Sequence, residues 1–137
     1  MRREMTPAAA KASLSMTMIS PVRCRQVADM IRGKKLEYAT RVLLLEKPKA
    51  ARILLKLLRS AMANAQQKGV ADLDRLYVSE LMVNEGPSIK RFMPRAHGRA
   101  DGRLTRTSHI EMKLAEAAVV KTSTKAKTTK SKKSGDK

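Results

Sequence analysis

Six cationic side chains, Lys90, Arg91, Arg95, Arg99, Arg103 and Arg106, fall within residues 86–109, against one acid, Asp101. They are interleaved with Gly86, Gly98, Gly102, Pro87 and Pro94. A guanidinium forms two parallel hydrogen bonds with phosphate oxygens, and an ammonium supplies a point charge. Glycine lets the backbone bend and approach a partner closely, while proline stiffens it. The chemistry that suits this pattern is phosphate recognition by an extended segment. A charge run is ordinarily a solvated loop. Here it lies in a stretch without any core pattern, and that favours a polyanionic partner.

Other reactive side chains are sparse. Cys24 is the only cysteine, so an internal disulfide is excluded, and its place on an apolar helix face reads as a small core residue. His97 and His109 are twelve residues apart with no companion cluster of Cys, Asp or Glu, which excludes zinc-finger spacing and gives no acid/base pair. His109 and Glu111 share a strand face, where the histidine suits a surface or RNA contact. Asp72 and Asp74 read as solvated loop acids rather than metal ligands. No metal site and no cofactor is expected.

The 137 residues suffice for one domain with one core. The net charge is +18, and it is unevenly spread. Residues 1–35 carry +6, 36–85 carry +2, 86–109 carry +5, 110–120 carry −1 and 121–137 carry +6. A near-balanced middle fits a folded helical body, and the basic blocks attract a polyanion through counterion release. Tyr38, Tyr77 and Phe92 are the only aromatic residues, too few for a base-stacking platform. The partner is therefore read by shape and backbone charge. No apolar stretch approaches a membrane span, and residues 1–4 lack the apolar run of a signal peptide. A soluble intracellular protein is expected.

The elements that position these residues follow from periodicity. Residues 12–19 alternate, with Leu14, Met16 and Met18 on the apolar side, as in a half-buried strand. Ser20-Pro21 starts a helix whose apolar face is Cys24, Val27, Ala28 and Ile31, with Arg23, Arg25 and Arg32 pointing away. Gly33 ends it. A second helix covers about 36–45, with Leu36, Ala39 and Leu43 aligned. Pro48, at a first helical position, opens a third carrying Ala50, Leu54, Leu57, Leu58, Ala61 and Ala65, roughly 30 Å long and stopping near Gly69. Residues 73–84 and 109–114 have strand patterns. The coreless stretch between them reads as a hairpin with arms of about eight residues, reaching roughly 25 Å beyond the body. Residues 121–137 have no apolar periodicity and are expected to be disordered alone.

Asn84-Glu-Gly-Pro-Ser-Ile-Lys-Arg-Phe-Met-Pro-Arg-Ala-His-Gly-Arg-Ala100, followed by Arg106-Thr-Ser-His-Ile110, closely resembles the signature of the large-subunit ribosomal protein L-twenty-two family, bacterial type. Val27-Ala-Asp-Met-Ile-Arg-Gly-Lys-Lys35 and Ser60-Ala-Met-Ala-Asn-Ala65 resemble it as well, in the same order, over about residues 11–115. The resemblance implies an α+β fold: three helices packed on a small three-stranded antiparallel sheet, with a long protruding β-hairpin at about 84–108. It implies a single domain over 11–116; residues 1–10, an N-terminal extension, and 117–137, a basic tail, fall outside it and inherit no role from it. It implies a structural constituent of the cytoplasmic ribosome that binds ribosomal RNA and aids assembly, its hairpin lining the peptide exit tunnel. Neighbouring large-subunit proteins, including the L-four family at the tunnel constriction, and the nascent polypeptide are the implied partners.

Carried over by position, Lys90, Arg91, Phe92, Met93, Pro94, Arg95, Ala96, His97 and Gly98 would form the tunnel tip, with Lys90, Arg91, Arg95 and His97 also binding RNA. Arg99, Arg103, Arg106, Ser108 and His109 would lie against RNA on the returning arm, and Ser88 on the outgoing one. Arg23, Arg25, Arg32, Lys34 and Lys35 would add contacts from the first helix. His97 departs from a usual Lys or Arg, and Gly102 from a bulkier residue. Three other functional classes are less well matched by these residues. A free-standing architectural binder would show comparable affinity for any duplex. A nucleic-acid-processing enzyme would need clustered acids or a histidine pair. A basic amphipathic membrane binder would need Trp, Phe and Leu beside its cations.

Overall fold

The computed structural model describes residues 8–70 and 73–116. The order is β1 (Ala8–Thr17), α1 (Pro21–Ile31), α2 (Leu36–Leu45), α3 (Lys49–Gln67), a short 3-10 turn (Leu73–Arg75), β2 (Leu76–Glu85), β3 (Ile89–Pro94), a second 3-10 turn (Ala96–Gly98), β4 (Ala100–Thr105) and β5 (Ser108–Glu116). Three strands form an antiparallel sheet in the order β1-β5-β2, and β3 and β4 form a separate two-stranded hairpin. The α+β architecture expected from the sequence is the one observed.

Alternation along β5 buries Ile110, Met112 and Leu114 against the helices. Leu81 and Val83 oppose Met112 and Ile110 in β2, and Ala12 and Ala10 oppose Met112 and Leu114 in β1. In β2 the buried residues change parity, from Leu76 and Val78 to Leu81 and Val83. A bulge between Val78 and Glu80 absorbs the extra residue, and the Ser79 hydroxyl donates to the Lys113 carbonyl at 3.0 Å. The helices supply the other half of the core. Cys24, Val27, Ala28 and Ile31 are buried on α1, and Leu36, Ala39 and Leu43 on α2. On α3 the buried stripe is Ala50, Ala51, Leu54, Leu57, Leu58, Ala61 and Ala65. Each fully buried leucine contributes about 1.5–3 kcal/mol. Gly33 (φ +73°) and Gly69 (φ +82°) take the left-handed conformation just past α1 and α3.

The start of the chain departs from expectation. The core face of β1 is Ala10 and Ala12, whereas Leu14, Met16 and Met18 are 38%, 56% and 58% exposed. α3 lies along β1, and small side chains let it come close; the Asn64 amide donates to the Lys11 carbonyl at 3.0 Å. Beyond Leu14 the β1–β5 register shifts, and Met16 adopts a left-handed φ of +52°. The alternation ends there, and Ile19 is the residue that enters the core. Two boundaries also moved. Pro48 precedes α3 as its cap rather than opening it, and residues 73–75 are a 3-10 turn rather than strand.

Candidate nucleic-acid interface

The hairpin pairs Ile89 with Thr105, Lys90 with Leu104, Arg91 with Arg103, Phe92 with Gly102, Met93 with Asp101 and Pro94 with Ala100. Each arm is six paired residues, so the ladder is roughly 20 Å long, shorter than expected. Successive side chains alternate sides. One face carries Lys90, Phe92 and Pro94 over Leu104, Gly102 and Ala100. The other carries Ile89, Arg91 and Met93 over Thr105, Arg103 and Asp101. Phe92, across from a glycine, is 83% exposed. All side chains from Lys90 to Leu104 are exposed.

Arg91 directly opposes Arg103, and like charges facing across strands are destabilising. The Arg103 guanidinium touches the Met93 sulfur at 3.7 Å, which leaves its charge uncompensated. At the tip the chain reverses through residues 95–99. The Arg95 amide donates to the Arg99 carbonyl at 2.7 Å, and His97 (φ +59°) and Gly98 (φ +67°) are left-handed in succession. Arg95 pairs with Asp101 at 3.4 Å, both side chains exposed, an ion pair weak enough to exchange for a phosphate.

A compact lock holds the hairpin to the sheet. The Thr107 hydroxyl donates to the Pro87 carbonyl at 2.6 Å, and the Gly86 amide donates to the Thr107 carbonyl at 3.0 Å. A Cβ on Gly86 would stand 2.5 Å from the Thr107 hydroxyl and 3.1 Å from His109 Nε2. His109, on the same outer face of β5 as Glu111, is half-buried, with Nδ1 accepting from the Met16 amide at 3.3 Å. The sequence shows Gly86 and Thr107 plainly, but not that they meet.

The first helix serves two purposes. Arg25 donates from Nε and Nη2 to the Val83 carbonyl at 3.2 and 3.1 Å, and Arg32 likewise to the Leu81 carbonyl at 3.3 and 2.8 Å, with Asp29 held by its remaining nitrogen. Those carbonyls lie on the outer edge of β2. A little further along that edge, the Gly33 amide donates to the Val78 carbonyl at 2.9 Å and the Val78 amide to the Lys34 carbonyl at 3.0 Å. Arg25 and Arg32 therefore close a sheet edge. Arg23, Lys34 and Lys35 remain exposed, with the Lys34 ammonium 5.7 Å from the Tyr38 ring centre. Ser88 is exposed. Ser108 is a correction: it is fully buried beneath the hairpin root, because it sits on the core face of β5, and offers no surface to a partner.

Beside the root a cavity of about 530 Å³ lies between Met18, Ile19, Ser20 and Arg23, the start of α3 at Pro48, Lys49 and Ala50, and residues 103–106 of the hairpin. Lys49 was not singled out from the sequence. The signal was available: a cation in the first turn of a helix opposes the helix dipole.

The remaining groups belong to structure. Burial pushes the Cys24 thiol above its ordinary pKa. A hydrogen bond and charge attraction from Glu80, with a smaller contribution from Glu111, raise the Lys113 ammonium. No three of His, Cys, Asp and Glu converge as a metal site among the described residues; Asp72 lies outside them. None of the helices described is long and apolar enough to cross a membrane.

The sequence profile of the family described as Ribosomal protein L22p/L17e matches residues 12–115. The chain is 50% identical over 107 residues to large ribosomal subunit protein uL22 of Syntrophotalea carbinolica, covering 78% of this chain and 97% of that one. To the protein of the same description from Geobacter sulfurreducens it is 48% identical over 107 residues, covering 78% and 96%. To that of Geotalea uraniireducens it is 50% identical over 105 residues, covering 77% and 95%.

Proposed function

The chain belongs to the ribosomal protein L22p/L17e family, a non-enzymatic structural constituent of the large ribosomal subunit, and on that premise we propose that its hairpin is driven into ribosomal RNA and reaches the peptide exit tunnel. The observation that carries this reading is the hairpin itself: a two-stranded ribbon with no core, its cations exposed and Arg91 set against Arg103. An isolated ribbon of this kind is marginal in water. Packed among phosphates, its like charges become mutually screened and its exposed Phe92 gains a covering surface.

In this reading Lys90, Arg91, Arg95, Arg99, Arg103 and Arg106 contact RNA along the hairpin, and Arg23, Lys34 and Lys35 contact it from the body. The turn through His97 and Gly98 lines the tunnel beside the L-four family protein and faces the nascent chain. By meeting several RNA segments at once, the protein helps organise them during assembly.

Two measurements test it. In a lysate of cells producing this protein, sedimentation at moderate and high salt is expected to keep it with the large subunit at both. Release at moderate salt, or a spread over all nucleic acid, overturns the hairpin reading in favour of a general duplex binder. Arg95→Ala with Arg99→Ala is expected to weaken association with ribosomal RNA and lower the salt slope by up to about two units; an unchanged slope contradicts the contacts.

A further inference from the structure

The cavity at the hairpin root has a lining of one charge sign. Arg23 comes from α1, Lys49 from α3, and Arg103 and Arg106 from β4 and the residues that follow it; no acid lines the cavity. Arg23, Lys49, Arg103 and Arg106 have no ion-pair partner among the described residues, and the Arg103 guanidinium meets the Met93 sulfur. Four unpaired cations around one space repel each other, and repulsion of this kind is relieved by an anion at the centre.

The helix starts point the same way. Ser20 caps α1 and Pro48 caps α3, both line the cavity, and neither cap makes a side-chain hydrogen bond. Neither first turn contains an acid; each instead carries a cation, Arg23 in one and Lys49 in the other. Helix N-termini favour anions, so these cations are misplaced unless a negative group lies between them. Met18, Ile19 and Leu104 add apolar surface to the lining, which suits a ligand with a sugar-like body as well as a charge. A volume near 530 Å³ fits a group of nucleotide size.

We propose that this cavity seats a backbone phosphate of RNA with its attached sugar, and that the seated phosphate clamps the hairpin to the body. Two of its cations, Arg23 and Lys49, belong to the helices, and two, Arg103 and Arg106, belong to the hairpin. The hairpin shares no ladder with the three-stranded sheet, so apart from the Gly86–Thr107 lock its angle depends on what fills this joint. The inference rests on the RNA-docking reading and adds to it one defined site and a mechanical role.

The test is a titration of the isotopically labelled full chain with inorganic phosphate, at an ionic strength held constant with chloride and read by amide chemical shifts. The amides of Ala50, Arg103 and Arg106 are expected to move together and saturate with one dissociation constant. Arg23→Gln with Lys49→Gln, both exposed positions, is expected to weaken that constant roughly tenfold or more while the remaining spectrum stays folded. A short RNA duplex is expected to displace the phosphate. Shifts that never saturate, or that survive unchanged in the double variant, overturn the proposal. So does phosphate that stays bound beside RNA, which would mark a free-phosphate site instead. If Arg95→Ala with Arg99→Ala still lowers the RNA salt slope while phosphate fails to saturate, only the clamp falls and the hairpin reading stands.

Discussion

Gly86 has no room for a side chain, and the reason is steric rather than torsional. An added Cβ would meet the Thr107 hydroxyl at 2.5 Å, and that hydroxyl is already committed to the Pro87 carbonyl. Gly86→Ala must therefore break the lock or tilt the hairpin, at a cost of about 1–3 kcal/mol. In a Thr107→Ala background the obstructing oxygen is gone, so the same substitution should cost less, with a coupling of about 0.5–3 kcal/mol in chemical denaturation. Equal costs in both backgrounds would show that the two residues do not act together. Cys24 gives a second prediction. Burial raises its pKa in the folded state, so on raising pH the unfolded chain releases this proton first. Stability from this site is intact below the ordinary thiol value of about 8.5 and falls as pH rises beyond it, by at most about 1.4 kcal/mol per unit, until the folded thiol ionises too. Cys24→Ala should remove that part of the alkaline slope. In the native protein the thiol should resist alkylation near neutral pH.

At the level of elements, the hairpin trades its own stability for a partner. Arg91→Thr replaces a facing like-charge pair with a β-branched residue and should stabilise the free hairpin by about 0.2–1 kcal/mol. The same change should weaken RNA association, so amide exchange in β3 and β4 slows while affinity drops. If both quantities move in the same direction, Arg91 is not a phosphate contact. The contrast between this hairpin and β1 explains how far the sequence could be read. The hairpin was legible because cations, glycines and prolines without apolar period leave few other structures. α1 was legible because its signals are local: Ser20-Pro21 at one end, Gly33 at the other and a four-residue apolar face between. β1 was not, since Ala10, Ala12 and Leu14 share one face, and which part of that face is covered is decided by α3, some forty residues later. Arg25 and Arg32 read as free cations for a similar reason. The carbonyls they cap belong to β2, 58 and 49 residues away, and no local pattern announces an unpaired edge there. The cavity escaped notice because its four cations come from three distant segments.

Across the whole molecule the charge is sorted by side. On the open face of the three-stranded sheet, Lys11 pairs with Glu111 at 3.0 Å and Lys113 with Glu80 at 2.7 Å, so strand cations are neutralised within the protein. Lys113 gains further hold on its proton from Glu80. Around the hairpin and its root the cations have no ion pair among the described residues, apart from the exposed Arg95–Asp101 contact. If binding were driven by the net charge of +18 alone, removing one unit anywhere would weaken it equally. The sorted distribution predicts otherwise. Lys113→Gln should change the slope of log affinity against log salt by less than about half a unit, because Lys113 neutralises an internal carboxylate and not a phosphate. Arg106→Gln should lower it by about one unit, the effect of losing one phosphate contact. Anisotropy titrations of ribosomal RNA fragments over a range of potassium chloride concentrations measure both slopes directly. Equal slopes for the two variants would mean that the protein docks through its overall field, and that the division between an ion-paired sheet face and an RNA-facing hairpin side has no functional weight.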